Sequence, residues 1–296
     1  MPIDQTLIES LHNARFEETA CSSDTTSSYS INKCLWAGNT KHTDVVIAES
    51  PVYGKMLFTD CELQSAESDE KIYHEHLVHP LLNSMVNTKE KRVLIVGGGE
   101  GATLREVLKW SPESVKEVVW IDIDQELVDL SRKYLGYVKE EVYNDPRYKF
   151  YAMDVRKFFA TNKDLFDAII LDLPDPDVDY LKEYPPDGEE YELYSTPFWT
   201  AVKKNLKENG QIVTHTGPVS PGKDQEKFRA GLVWINANAN MPQSTAYHVN
   251  IPSFQSEWGF WMSQSPNHMC KFPDEAVVMD GFAQIQAFGW PRYWFR

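Results

Sequence analysis

Five acids and one run of glycines carry the chemistry legible in this chain. Asp122, Asp154 and Asp172 each close an apolar run: Val118-Val119-Trp120-Ile121-Asp122, Lys149-Phe150-Tyr151-Ala152-Met153-Asp154 and Phe166-Asp167-Ala168-Ile169-Ile170-Leu171-Asp172. Asp175 follows between Pro174 and Pro176, and Glu100 stands inside Gly97-Gly98-Gly99-Glu100-Gly101. Apolar runs without alternation suit parallel strands covered on both faces. Open α/β sheets bind ligands at the carboxyl ends of such strands. Each acid singly could be a helix cap, but three beside a glycine turn converge on one crevice. Consecutive glycines, with Gly97 and Gly99 among them, let the chain turn sharply and let a ligand approach the backbone. An acid about twenty residues past such a turn can grip two ribose hydroxyls, the role that falls to Asp122. A pyrophosphate would want bare amides at the helix start. Glu100 would instead repel phosphate and attract a cation, and Ala102 and Thr103 break the strict dinucleotide spacing. The expected ligand is a nucleoside carrying positive charge, such as a sulfonium.

The elements that must position these residues follow from the pattern. Val93 to Val96 forms a buried strand, Ala102 to Trp110 a helix, and Gln125 to Leu135 a second, amphipathic helix. From Lys91 onward, β-α-β-α units with short connections signal an α/β fold with a doubly wound sheet. Thr196 to Leu206 and Gln225 to Ala237 read as further helices, Gln211 to His215 as a strand, and Tyr247 to Ile251 and Gly259 to Met262 as edge strands. Upstream, Asp44 to Ala48 and Lys55 to Phe58 are strand-like around the turn Pro51-Val52-Tyr53-Gly54, which suits a small antiparallel β domain. Ser68 to Pro80 reads as a helix capped by Ser68 or Asp69. It carries His74, His76 and His79, but the H-E-x-x-H zinc spacing fails because Val78 occupies the last position; no metal is expected. Asp172 to Asp179, with Glu183, Asp187, Glu189, Glu190 and Glu192, forms an acidic loop of a length usual in functional loops. Cys21 to Ser28 reads as a loose tail.

At 296 residues the chain has room for one large or two modest domains. Its net charge of −15 and isoelectric point of about 5.0 make nucleic acid and anionic membrane poor partners. The four cysteines, Cys21, Cys34, Cys61 and Cys270, are scattered and read as free thiols of a reducing compartment. No apolar run is long enough to span a bilayer, and Asp4 and Glu9 interrupt the start where a signal peptide would be apolar. The expected setting is cytoplasmic.

Taken together these segments resemble the aminopropyltransferases, the spermidine/spermine synthase family. Val93 to Gly101 followed by Arg105-Glu106-Val107-Leu108-Lys109 is similar to the family's donor-binding turn. Leu63-Gln64-Ser65-Ala66-Glu67-Ser68-Asp69-Glu70 with Tyr73-His74-Glu75 resembles its domain junction. Asp172-Leu173-Pro174-Asp175-Pro176 resembles its catalytic loop, and Ala287-Phe288-Gly289-Trp290-Pro291-Arg292-Tyr293 its closing segment. The thermospermine synthase branch is the most similar, through Gln64 to Glu67, Glu100, Asp122-Ile123-Asp124-Gln125-Glu126, and Ile251-Pro252-Ser253-Phe254 before Trp258-Gly259. The resemblance implies a Rossmann-like doubly wound sheet, of the class I methyltransferase type, behind a small N-terminal antiparallel β domain. Residues 1–28 are then a flexible tail, 29–85 the β domain and junction helix, and 86–296 the catalytic domain, in a homodimer.

The reaction so implied moves an aminopropyl group from decarboxylated S-adenosylmethionine, a co-substrate and no tightly bound cofactor, to a polyamine. Asp122 would hold the ribose and Asp154 the adenine amine. Gln64, Glu100 and Asp172 would face the aminopropyl side, and Tyr73, His74 and Asp175 the acceptor amine. An ammonium has no lone pair, so a carboxylate in reach must first take its proton as general base, and Asp172 is the best placed. Thr43, His215 and Phe254 depart from residues common in the family, and these departures bear on the acceptor. Spermidine giving thermospermine is the expected conversion, with spermidine or spermine synthesis as alternatives. His215, Phe254 and Glu257 are assigned to the acceptor side, Glu257 as a second anionic anchor. N-methyl transfer from S-adenosylmethionine is the remoter alternative, because Glu100 and Asp172 would oppose that donor's carboxylate. A polyamine-binding protein without catalysis would be expected to lose Asp172 or Tyr73, and both are present.

Overall fold

The computed structural model describes residues 5–18, 26–175, 193–219, 231–233, 235–267 and 271–290. The acidic loop beyond Asp175 and the closing Pro291-Arg292-Tyr293 lie outside the described residues. A helix α1 (Gln5–Ser10) and strands β1 (Ala14–Glu18) and β2 (Ser27–Ile31) open the chain. Four strands follow: β3 (Lys33–Asn39), β4 (Asp44–Ser50), β5 (Gly54–Thr59) and β6 (Glu62–Ala66). They pair in that order as an antiparallel sheet, and β1 pairs antiparallel with β2. The start of the chain, expected as a loose tail, is therefore structured over 5–18. Leu11 and Phe16 explain why: both are buried against Tyr29, Phe58 and Leu63 of the small sheet's core.

Helix α2 (Glu70–Ser84) leads into the larger layer, which holds β7 (Lys91–Gly97), α3 (Ala102–Leu108), β8 (Val115–Asp122), α4 (Gln125–Tyr134), α5 (Glu140–Tyr143), β9 (Tyr148–Ala152), α6 (Val155–Thr161) and β10 (Phe166–Asp172). It continues with α7 (Thr196–Lys204), β11 (Leu206–Pro218), β12 (Thr245–Ile251), β13 (Ser256–Met262) and α8 (Gly281–Ala287). Seven strands form one sheet in the order β12-β13-β11-β10-β7-β8-β9. The five strands from β11 to β9 run parallel, and β13 and β12 add an antiparallel edge. This is a Rossmann-like, doubly wound sheet behind an N-terminal antiparallel one. Strand order reverses between β7 and β10, where Gly97 is paired with Asp172. Crevices open at such reversals. Val93, Leu94, Ile95, Ala168, Ile169 and Ile170 are completely buried, as parallel strands covered on both faces require.

Helix α2 is buried along most of its length, including His74, Glu75, His76, His79 and Asn83. Asp69 sits at its N-cap but does not cap it with its side chain. The carboxylate is drawn away to the Ser253 amide (2.7 Å) and hydroxyl (2.8 Å), and so pins the turn 252–254 against the helix. Pro80 lies inside the helix and cannot donate to the carbonyl four residues back. That carbonyl, of His76, accepts instead from the Tyr247 hydroxyl at 2.7 Å. Glu75 accepts from the amides of Val277, Val278 and Met279 at 2.9, 2.8 and 2.7 Å, fastening that late segment to the middle of α2. No helix among the described residues is long and apolar enough to cross a membrane.

Candidate active site

The glycine turn and the end of β10 are locked together. Gly97, Gly98 and Gly101 adopt left-handed φ of 81°, 71° and 79°, which side chains disfavour. The Gly98 amide donates to the Asp172 carbonyl at 2.9 Å. A methyl carbon on Gly97 would lie 2.0 Å from that carbonyl oxygen, and one on Gly98 2.7 Å from Asp172 Oδ2. The glycines are thus required by the close approach of the Asp172 backbone and carboxylate. Gly99, whose φ is ordinary, packs on Leu127 and close to Asp122.

Asp172 is half-buried, and both its oxygens accept from hydroxyls. Tyr73 donates to Oδ1 at 2.7 Å and Thr103 to Oδ2 at 2.6 Å. Burial, then the Asp172 charge and its hydrogen bond, push the Tyr73 phenol far up, so it stays a donor. Asp122 ends β8 and accepts from the Asp124 amide at 2.8 Å. Burial, reinforced by the charges of Asp124, Glu100 and Asp172, pushes its carboxyl up to about 7. The expected convergence of strand-end acids is therefore real for Asp122 and Asp172. Asp154 caps α6 through the Arg156 amide (2.8 Å) and pairs with the Arg156 guanidinium (2.7 Å).

His74 Nε2 donates to Glu100 Oε1 at 3.2 Å, while Nδ1 faces the Glu70 carbonyl (2.6 Å) and carboxylate (3.1 Å). Burial opposes a charge on this ring, but the hydrogen bonds and charges of Glu100 and Glu70 prevail and raise its pKa to about 10. A folded-state value above the ordinary 6.5 means this pairing stabilises fully below pH 6.5 and is lost as pH rises through about 10. Glu70 is gripped from its other side by both terminal nitrogens of Arg105, at 2.9 and 2.7 Å. Beyond Arg105 lie Glu106, Lys109, His79 and Glu75. Among the described residues Glu75, His79 and Glu106 form the one group with atoms close enough to hold a metal ion. Their atoms are already engaged: Glu75 by three amides and Lys109, Glu106 by Arg105 and Lys109, and His79 by Trp110 and Glu106. These contacts tie α2 to α3.

On the opposite wall, His215 Nδ1 lies 3.2 Å from Asp175 Oδ1, and Nε2 bonds the Leu173 carbonyl. The His215 ring stands 5.8 Å from that of Tyr73 and stacks on Trp258 at 6.2 Å. Phe254 packs 6.2 Å from Tyr73 and 4.6 Å from Trp258. Desolvation, followed by the charges of Asp175, Glu18 and Asp60, pushes Glu62 up, so the acidic field continues from Asp175 toward the small sheet. Gln64 Nε2 turns back to the Glu62 carbonyl of its own strand (3.3 Å). Glu257 does not join this wall. Side chains alternate along a strand, so Trp258 and Phe260 face Tyr73 while Glu257 points to the other face, where it meets His248 at 2.9 Å. Sequence reasoning also missed Thr103, Glu70 and Arg105, which hold the assigned residues from behind.

Residues 70–274 match the spermine/spermidine synthase domain, and residues 16–67 the spermidine synthase tetramerisation domain. The chain is 35% identical over 235 residues to polyamine aminopropyltransferase 2 of Pseudomonas aeruginosa, covering 79% of this chain and 63% of that one. It is 37% identical to the polyamine aminopropyltransferase of Saccharolobus solfataricus, over 78% of this chain and 71% of the relative. It is 32% identical to thermospermine synthase ACAULIS5 of Arabidopsis thaliana, over 88% and 72%. A solved spermidine synthase in complex with the transition-state analogue AdoDATO shares the fold with a TM-score of 0.79 at 24% identity, covering 95% of this chain and 93% of the other. The Thermotoga maritima spermidine synthase does so with a TM-score of 0.78 at 23% identity, over 95% and 92%.

Proposed function

Because the chain belongs to the spermine/spermidine synthase family, we propose that it transfers an aminopropyl group from decarboxylated S-adenosylmethionine to a polyamine, with spermidine as acceptor and thermospermine as product. The observation that carries this reading is the Asp172 carboxylate, held by Tyr73 and Thr103 at the strand reversal among Glu100, Asp122 and Asp175. Such a crevice favours cations on both sides of the reaction. Asp172 takes a proton from the acceptor ammonium, and the freed nitrogen lone pair attacks the methylene beside the sulfonium. The carbon–sulfur bond breaks with its electrons going to sulfur, leaving neutral 5'-methylthioadenosine. Alignment of nitrogen, carbon and sulfur is the rest of the task. Asp122 holds the ribose and Glu100, steadied by His74, the aminopropyl ammonium. Assembly through the small N-terminal sheet, which matches a tetramerisation domain, belongs to the same reading, with a cytoplasmic homodimer as its smallest form.

The acceptor assignment rests on Phe254, which offers no hydroxyl to the far ammonium of a short diamine. An ionic hydrogen bond missing there is worth roughly 1.5–3 kcal/mol, or about ten- to a hundredfold in preference. The acidic field from Asp175 to Glu62 suits a longer cation. Incubation with the decarboxylated donor and equal putrescine or spermidine, followed by chromatography, is expected to show spermidine consumed faster and thermospermine formed. Faster use of putrescine, or spermine as product, would reassign the acceptor or its reacting end and leave the reaction class standing. Absence of methylthioadenosine with every polyamine would defeat the class itself.

Asp122 supplies a pH signature. Ribose hydroxyls donate to its ionised form, and the free carboxyl titrates at about 7. Methylthioadenosine is therefore expected to bind more tightly as pH rises to about 7 and no more tightly beyond, with proton release on binding below that value. Calorimetry in buffers of different ionisation heat measures this. Affinity flat through the acid range would remove Asp122 from the ribose.

A further inference from the structure

Thr103 lies in the first turn of α3 with no exposed surface, and its hydroxyl is 2.6 Å from Asp172 Oδ2. A threonine in a helix ordinarily returns its hydroxyl to a carbonyl three or four residues back. Here it reaches across to the end of another strand, 69 positions later in the chain. A carboxylate only accepts, so Thr103 is the donor, matching Tyr73 on the other oxygen. One hydroxyl alone would leave the carboxylate free to rotate about its bond to Cβ. Two hydroxyls on two oxygens, from α2 and α3, fix its plane. An ionised aspartate has about four lone-pair sites; those left by the two hydroxyls are available to the crevice. Gly98 adds no side chain on this side, and a methyl there would occupy the space beside the same oxygen.

We propose that Thr103 is a positioning residue of the transfer reaction, whose hydroxyl, paired with that of Tyr73, fixes the Asp172 carboxylate so that one lone pair meets the acceptor nitrogen. The inference rests on the reading of Asp172 as the base. It extends that reading to a residue whose own side chain meets no substrate. Two consequences separate this role from simple packing. Removing the donor loosens the base, so turnover falls while donor affinity is kept. It also withdraws a hydrogen bond from the ionised form, so the acid limb of the pH–rate profile moves to higher pH. The other titratable groups around Asp172 are Tyr73 from α2, Asp122 from β8, Tyr194 before α7 and His215 of β11, with Glu100 of the turn and Asp175 acting on these same groups. All are common to wild type and variant.

Thr103→Val keeps the shape, and Thr103→Ser keeps the hydroxyl. Steady-state release of methylthioadenosine is expected to fall about ten- to a hundredfold in kcat for T103V. Its acid limb should move to higher pH, with the donor KM little changed and T103S close to wild type. Should T103V fail to fold, T103A against T103S makes the same comparison. Equal loss in the hydroxyl-free variant and T103S, or an unmoved pH profile, would overturn the proposal by assigning Thr103 to packing. A wild-type chain that releases no methylthioadenosine with any polyamine would instead defeat the underlying reading, and this inference with it.

Discussion

Asp172→Asn is expected to lower turnover by about 100- to 10,000-fold, the range that loss of a general base produces. The substitution keeps the size and planarity of the side chain but leaves one oxygen where there were two. Tyr73 can still donate to that oxygen, and the Thr103 hydroxyl can rotate to accept from the new amide. The local fold should therefore survive. What disappears is a group able to take a proton from an ammonium. Donor binding, measured by calorimetry, is expected to weaken only by the loss of one nearby negative charge. Near-normal methylthioadenosine release under saturating substrates would show that Asp172 is not the base, and would move attention to Asp175.

The second large effect is expected at a residue with no side chain. Gly98→Ala would place a methyl carbon 2.7 Å from Asp172 Oδ2, a separation that requires something to shift. The backbone there is left-handed at 71°, which costs a non-glycine residue roughly 1–2 kcal/mol of stability. The carboxylate is the more mobile partner, so it is displaced. A displacement of about 1 Å at a reacting group costs on the order of a hundredfold in rate. Gly97→Ala differs, because its methyl would lie 2.0 Å from the Asp172 carbonyl oxygen and the strand end itself would have to move. Thermal melts beside kinetics should find G98A folded and slow, and G97A chiefly unstable. A G98A enzyme of normal rate would place the reacting group elsewhere.

The sheet, the glycine turn and two of the strand-end acids were legible because each is written in a short stretch. Unbroken apolar runs mark covered strands, and a run that stops at an acid marks the strand tip. Contacts between distant segments were not legible. Tyr73 and Asp172 lie 99 positions apart, and nothing local in either predicts their hydrogen bond. Asp69 looked like a cap because capping is a local property, yet Ser253 competes for it from 184 positions away. The parity of β13 is written locally: Trp258, Phe260 and Met262 alternate on one face, which puts Glu257 on the other. Thr103 and Arg105 gave no signal for the site, because the partners that place them there, Asp172 and Glu70, come from other elements.

The grip of Glu75 on residues 277–279 bears on how the protein can be made. Its three amide partners lie 202 to 204 positions later in the chain. At synthesis rates of about 5–20 residues per second, they leave the ribosome roughly 10–40 s after the helix that needs them. During that interval the nascent helix carries a carboxylate whose native site is fully buried but whose donors do not yet exist, Lys109 aside. An acid of that kind stays in water rather than entering an apolar interior unpaired. The centre of α2, and with it Tyr73 and His74, therefore settles last, when the chain is nearly complete. A truncated polypeptide ending before Val277 retains every residue assigned to the chemistry and lacks the amides that let their helix close.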